Sequence, residues 1–218
     1  MDFELIKQSV PVLLQGCGVT LQITAMAVFC GFLIGGIASI ARLCNIRALR
    51  ILAKCYIDCI RGTPLLVQIF IVYFAMPSLL GVRFEKFSAA VIACSVNSGA
   101  YVAEICRAGI QSIDVGQMEA GRSLGLSWWQ TMRHIILPQA FKRIIPPLGN
   151  EFIAMLKDSS LVSVIGFQEL TRSGQLIIAR TYASLEIWTC VAAMYLVMVL
   201  GVARLVGVLE KRYKTDGK

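Results

Sequence analysis

The chain reads as an all-α polytopic membrane protein of five transmembrane helices, amino terminus outside and carboxy terminus inside. Three observations predict this. Of 218 residues, 57% are hydrophobic and only 16% charged, against about a quarter charged in soluble domains, and mean hydropathy is +0.71. Apolar stretches of about 20 residues, the length that crosses a bilayer as helix, recur along the chain. Basic residues crowd into alternate connections between those stretches.

Thr20 to Ile40 supplies the first span, Gly62 to Val82 the second, Phe87 to Ala103 the third and Ile187 to Ala203 the last. The fourth, Ile144 to Gln168, is broken by Glu151 and the Lys157-Asp158 pair, so hydropathy marks it weakly. The third extends past Glu104 only if that carboxylate faces protein or water. Arg42, Arg47, Arg50, Lys54 and Arg61 follow the first span; Arg107, Arg122, Arg133, Lys142 and Arg143 follow the third. Arg204, Lys211, Arg212, Lys214 and Lys218 close the chain, and the other side keeps Lys7, Arg83, Lys86, Arg172 and Arg180. The basic side is cytoplasmic by the positive-inside rule. The net charge of +8 is thereby assigned to cytoplasmic loops, and no nucleic acid is expected as a partner. The start, Met1-Asp2-Phe3-Glu4, lacks the basic region of a cleaved signal, so the first apolar segment is expected to stay in the mature chain.

After the first span, Arg47, Arg50, Lys54, Asp58 and Arg61 fall at helical steps with apolar residues between them, an amphipathic helix with one charged stripe. Thr63-Pro64 reads as N-cap and first position of the helix that follows. Gly31-x-x-x-Gly35, with Gly36 beside it, lets another backbone approach the first span. The eight cysteines show no metal spacing. Cys30, Cys94 and Cys190 lie in apolar spans as small hydrophobes, and the i,i+4 pair Cys55 and Cys59 is assigned no role. No repeat or duplicated half is visible, so one copy of five helices is an incomplete pathway and a dimer is expected.

Residues 112–139 form the most informative segment. Ser112 to Gln117 offers caps for a short helix, and Gly125 can take the positive φ that ends it. Ser127-Trp128-Trp129-Gln130 has the form of a capping box for a second helix, predicted to run until Pro138. Helices this short are marginal alone in water. The pair must dock on something, and a short helix presented on the cytoplasmic side suits a groove in a soluble partner.

The segment Glu119-Ala-Gly-Arg-Ser-Leu-Gly125, followed by Ile135-Ile-Leu-Pro138, resembles the permease signature of binding-protein-dependent ABC importers. Glu119, Ala120, Gly125, Ile135, Leu137 and Pro138 match it residue by residue, while Gly121 replaces the usual second alanine. That replacement costs about 1 kcal/mol of helix propensity. Four other stretches are similar to the polar amino acid branch, the histidine, glutamine and arginine type: Arg61 to Phe70, Asn97 to Arg107, Gln130 to Gln139 and Leu156 to Gly166. The resemblance runs from about Gly18 onward.

It implies a type I ABC importer permease fold, with residues 1–218 as one transmembrane domain in a bacterial cytoplasmic (inner) membrane and 112–139 as its coupling loop. It implies ATPase contact through Glu119, Ala120, Gly121, Ser123, Leu124, Gly125, Leu137 and Pro138. The partners implied are a cytoplasmic ABC ATPase dimer, an extracytoplasmic amino-acid-binding protein, and a second permease copy or sister chain. No cofactor is expected here, since ATP and Mg would belong to the ATPase, and no phosphate loop occurs in the sequence. Nor does an HExxH motif or a metal cluster occur to support an intramembrane enzyme.

Ionisable groups in spans cost about 2.5–3.5 kcal/mol on insertion scales and are functional candidates by default. A zwitterionic amino acid needs an anionic partner, a cationic partner and hydrogen bonds. Asn97, Ser98 and Glu104 on the third span, with Glu151, Lys157, Asp158 and Ser159 on the fourth, are the substrate-path candidates. The structural alternatives are that Lys157 and Asp158 satisfy each other or neighbouring helices, and that Glu104 simply pairs with Arg107, three residues on. His134, the only histidine, is read as a surface residue. A different class of function, an ion- or proton-coupled secondary transporter, would use Glu104 and Glu151 as titrating carboxylates, but leaves the loop without a role.

Overall fold

The computed structural model describes residues 3–213, so Met1, Asp2 and the basic tail residues Lys214 and Lys218 lie outside the described residues. Among these residues every regular element is helical. The order is α1 (Phe3–Leu43), α2 (Arg47–Arg61), α3 (Leu65–Phe70), a π-helical turn (Ile71–Ala75), α4 (Met76–Leu80) and α5 (Lys86–Gln111). Then come α6 (Val115–Ser123), α7 (Trp128–Thr131), a second π-helical turn (Met132–Ile136), α8 (Leu137–Asp158), a 3-10 stretch (Ser159–Ile165), α9 (Leu170–Thr181) and α10 (Ser184–Tyr213).

Three described helices are long and apolar enough to cross a membrane: Glu4–Leu43, Lys86–Gln111 and Ser184–Lys211. A bent pair, Arg47–Arg61 with Leu65–Leu80, meets the same standard only jointly, across a 105° bend. The first span is longer than predicted. Three of its hydroxyls are satisfied within the helix itself, Ser9 donating to Leu5 O, Thr20 to Gly16 O and Thr24 to Thr20 O, which lowers their cost in an apolar segment. The predicted second span is shorter. Leu65–Leu80 covers about 24 Å at 1.5 Å per residue, because Gly62 closes α2 and Gly81, at φ 68°, stops α4.

The predicted caps at the bend need correction. Thr63 does not cap α3: its hydroxyl donates back to Cys59 O at 2.9 Å, at the end of α2. Pro64, extended at ψ 138°, is the N-cap. Its carbonyl accepts from the amides of Val67 and Gln68.

The prediction that Pro138 ends a helix is also wrong. The helix entered at Trp128 runs through Met132–Ile136 into α8 and reaches Asp158. Proline inside a helix removes one hydrogen bond and clashes with the carbonyl four residues back. Here that carbonyl belongs to His134, inside the widened π turn, which makes room for the ring. Pro77 is handled in the same way, with Tyr73 inside the turn Ile71–Ala75.

The main core joins α1, α3, α5, α8 and the 3-10 stretch through Ile23, Ala27, Ile69, Ala93, Met155 and Val162. A second cluster fastens α9 and α10 to α1 through Leu13, Leu170, Ile187 and Val191. The close approach expected at Gly31 and Gly35 is the contact of α1 with α5. A Cβ at Gly35 would lie 2.6 Å from Gly99 O and one at Gly31 would lie 2.8 Å from Ser98 Cβ, whereas one at Gly36 would meet nothing within 4 Å. Overpacking of this kind costs about 1–3 kcal/mol or more. Gly35→Leu is therefore expected to lower the thermal midpoint of the purified protein in detergent by about 5 °C, with Gly36→Leu near wild type. Equal midpoints for the two would show that the seam tolerates side chains.

Candidate coupling loop and membrane-embedded polar site

The loop after α5 is a helix, a sharp turn and a helix, each junction closed by local hydrogen bonds. Asp114 caps α6 by accepting from Gly116 N at 2.7 Å. At the other end Gly125, at φ 84°, forms a Schellman turn. Its amide donates to Arg122 O, and that of Leu126 to Gly121 O. Arg122 braces the turn from its side chain, donating to Leu126 O at 2.9 Å. Ser127 and Gln130 then form the predicted capping box, at 2.7 and 3.2 Å.

One face of this unit is packed and the other is free. Ile113, Met132, Ile136, Ala140 and Ile144 form a buried cluster that also engages Ile105 and Ile110 of α5. Gly121 is buried on the inner face, where a Cβ would lie 2.5 Å from Thr131 Cγ2. The glycine that departs from the family pattern is thus the point at which α6 closes on α7. On the outer face Glu119, Ala120, Ser123, Leu124 and Gly125 are exposed, Leu124 at 81%. Leu137 and Pro138 are exposed as well, and so is His134.

Within the helices, the polar candidates separate into distinct environments. Ser98, fully buried on α5, donates to Glu151 Oε1 on α8 at 2.9 Å. Asn97 donates to Gln68 Oε1 at 3.0 Å, and Gln68 donates in turn to Ile60 O at 2.8 Å and to Thr63 O and Oγ1. Gln68 therefore satisfies the carbonyls left open at the α2–α3 bend, a need that hydrocarbon makes strict. Ser159 is buried and donates to Leu156 O at 2.8 Å. Lys157 and Asp158 are exposed at the end of α8 and form no ion pair with each other.

Glu104 lies apart from Glu151. It pairs with Arg107, as its spacing predicts, and also with Arg42 of α1 at 2.8 Å. This is why α5 continues through Glu104 to Gln111. Sequence reasoning missed Arg42, Gln68 and, above all, Glu169. Glu169 is fully buried at the N-cap of α9 and accepts from Arg172 N, Thr171 N, Tyr195 Oη and Thr20 Oγ1. It joins α1, α9 and α10. The signal was weak, because Glu is not a preferred N-cap residue and its other partners are remote in sequence.

A family model described as the binding-protein-dependent transport system inner membrane component matches residues 27–215. The chain belongs to this family. Within it, the chain is 44% identical over 214 residues to the glutamine transport system permease protein GlnP of Escherichia coli (strain K12), covering 98% of each. It is 38% identical over 216 residues to the arginine transport system permease protein ArtQ of Bacillus subtilis (strain 168), covering 99% of each. Among solved structures, a chain of an amino acid ABC transporter with histidines superposes with TM-score 0.93 at 44% identity, covering 97% of this chain and 99% of that one. The inward-facing MetNI methionine ABC transporter, at 18% identity and TM-score 0.76, shares the fold.

The buried position of Gly121 can be tested against the alanine usual there in the family pattern. Alanine gains about 1 kcal/mol in helix propensity, but overpacking against Thr131 costs about 1–3 kcal/mol. Gly121→Ala is expected to lower the thermal midpoint, and to lower it less in a Thr131→Ser background, which removes Cγ2 and keeps the hydroxyl that bonds Ser127 O. An identical shift in both backgrounds would mean that the two residues do not press on each other.

Proposed function

We propose that the chain is the transmembrane permease subunit of an ATP-driven ABC importer for polar amino acids, in a bacterial cytoplasmic (inner) membrane. Two permease copies, or one with a sister chain, form the path; an ATPase dimer binds from the cytoplasm and an extracytoplasmic binding protein delivers the amino acid. The observation that carries this reading is the coupling loop: a braced turn, packed on its inner face and open on its outer one, within a chain of this family. An exposed surface of Glu119, Ala120 and Ser123 to Gly125, backed by a packed core, is what a soluble partner needs to push against. A secondary transporter gives that surface no use.

The names of the relatives support glutamine, arginine or a similar amino acid as substrate. The chain acts as one transmembrane domain, residues 1–218, with residues 112–139 as the coupling segment. The basic residues near the loop support a cytoplasmic position for it, with the amino terminus outside. ATP binding closes the ATPase dimer, and the loops carry that motion to the helices. Coupling requires the ATPase to bind the two permease states with different affinity.

Glu151 is the strongest substrate-path residue. Glu104 is paired with two arginines and Glu169 accepts from four uncharged donors, whereas Glu151 receives a single hydroxyl, from Ser98. A carboxylate with unused acceptor capacity in an apolar environment suits an incoming ammonium group. Asn97, Ser98 and Ser159 shape its surroundings, and Lys157 and Asp158 mark the outer end of the same helix.

Two measurements test the reading. Gly125→Val, which strains the positive-φ turn, is expected to abolish most binding-protein-stimulated ATP hydrolysis and uptake in proteoliposomes while leaving the protein in the membrane; normal stimulation with normal uptake would remove the loop from coupling. Glu151→Gln is expected to cut uptake at least tenfold while assembly with the ATPase persists. Unchanged rate and apparent affinity in that variant would take Glu151 out of the path.

A further inference from the structure

Toward the coupling loop from Glu151, the structure holds a cavity, about 400 Å³ in volume, lined by Arg61, Tyr101, Glu104, Arg143 and Pro147 among others. Tyr101 and Glu104 follow Asn97 by four and seven residues, and Pro147 and Arg143 precede Glu151 by four and eight. These are steps along one helical face. At 1.5 Å per residue the cavity lies about 10 Å along the helices from Asn97 and Glu151.

Its charge is unbalanced. The one carboxylate in its wall, Glu104, is already held by Arg42 and Arg107. Arg61 and Arg143 make no ion pair with any described carboxylate. The Arg61 guanidinium lies over the Tyr101 ring, 5.3 Å from its centroid, and Arg143 donates from Nη1 to Ser112 O, the residue that opens the coupling loop. Both retain further N–H donors in the planar fork that matches a carboxylate. The volume falls within the range of about 300–1,000 Å³ usual for small-molecule sites.

We infer that this cavity is a second, exit-side amino-acid subsite, which takes the α-carboxylate of the substrate between Arg61 and Arg143 after it leaves the surroundings of Glu151. The inference rests on the importer reading above. Glu104 is not free for an ammonium group, so the subsite recognises the carboxylate end and holds the rest of the amino acid against Tyr101 and Pro147. An amino acid bound there from the cytoplasm binds one permease state in preference to the other, and holds the population in it. Product accumulated inside therefore slows import.

The test uses the assembled transporter in proteoliposomes, with ATP and Mg inside and the binding protein outside. L-Glutamine, L-arginine and L-histidine are tried as substrates, and the fastest is loaded into the lumen, in parallel with its α-carboxamide. For each variant the initial uptake rate of loaded vesicles is divided by that of empty ones, so a lower basal rate cancels. The lumenal amino acid is expected to inhibit and the α-carboxamide not to. Arg61→Gln and Arg143→Gln should each raise the half-inhibitory lumenal concentration about tenfold, as losing one charge-assisted contact does. Absence of lumenal inhibition in wild type, equal inhibition by the carboxamide, or unchanged inhibition in both variants overturns the subsite and leaves the importer standing. Absence of ATP-driven uptake of all three amino acids overturns the importer reading, and the subsite with it.

Discussion

In hydrocarbon no water is present to complete the hydrogen bonding of a broken helix, so each interruption of the backbone must be satisfied by the protein itself. The irregular features of this chain follow from that constraint. At the bend between α2 and α3, Thr63 and Gln68 take up the open carbonyls of Cys59, Ile60 and Thr63, and Asn97 then binds to Gln68. At the start of α9, Glu169 receives the free amides of Thr171 and Arg172, and its remaining capacity draws in Thr20 and Tyr195 from two other helices. The interruptions are thus also the places where distant parts of the chain are tied together.

The carboxylates show the same constraint acting with different results. Glu169 is saturated and serves architecture. Glu104 is fixed between Arg42 and Arg107, which lets α5 carry a charged residue well inside its length. Glu151 is left with one hydroxyl partner. Burial costs Glu151 and Glu169 alike, and they differ in how many partners offset that cost.

Much of this was legible in the sequence because it depends on local geometry. The positive φ at Gly125, the capping box at Ser127 and Gln130, the pairing of Glu104 with Arg107 and the close approach at Gly31 and Gly35 all arise within a few residues or from the lack of a side chain. The features that were not legible depend on remote partners or on backbone adjustment. Pro138 carries the usual signal of a helix end, and only the π turn before it shows why the helix continues. Thr63 and Pro64 have the composition of a cap, but a carbonyl of the preceding helix takes the hydroxyl. Gly121 looks like a weak point in a short helix until Thr131 is seen against it. Glu169 and Arg42 find their partners across helices, and no spacing rule reaches that far.

The passage of the helix through Pro138 has a mechanical consequence. From Trp128 to Asp158 the chain is helical throughout, through the π turn at Met132–Ile136 and past Pro138, Pro146 and Pro147, about 45 Å of helix at 1.5 Å per residue. Its near end is fixed to the Schellman turn, and its far part carries Glu151. A lever arm of this length converts a tilt of about 5° at the loop into a displacement of about 4 Å at Asp158, more than the length of a hydrogen bond. A helix ending at Pro138 would have left a joint there to absorb the tilt. The widened turn before the proline keeps the helix continuous between the loop and Glu151.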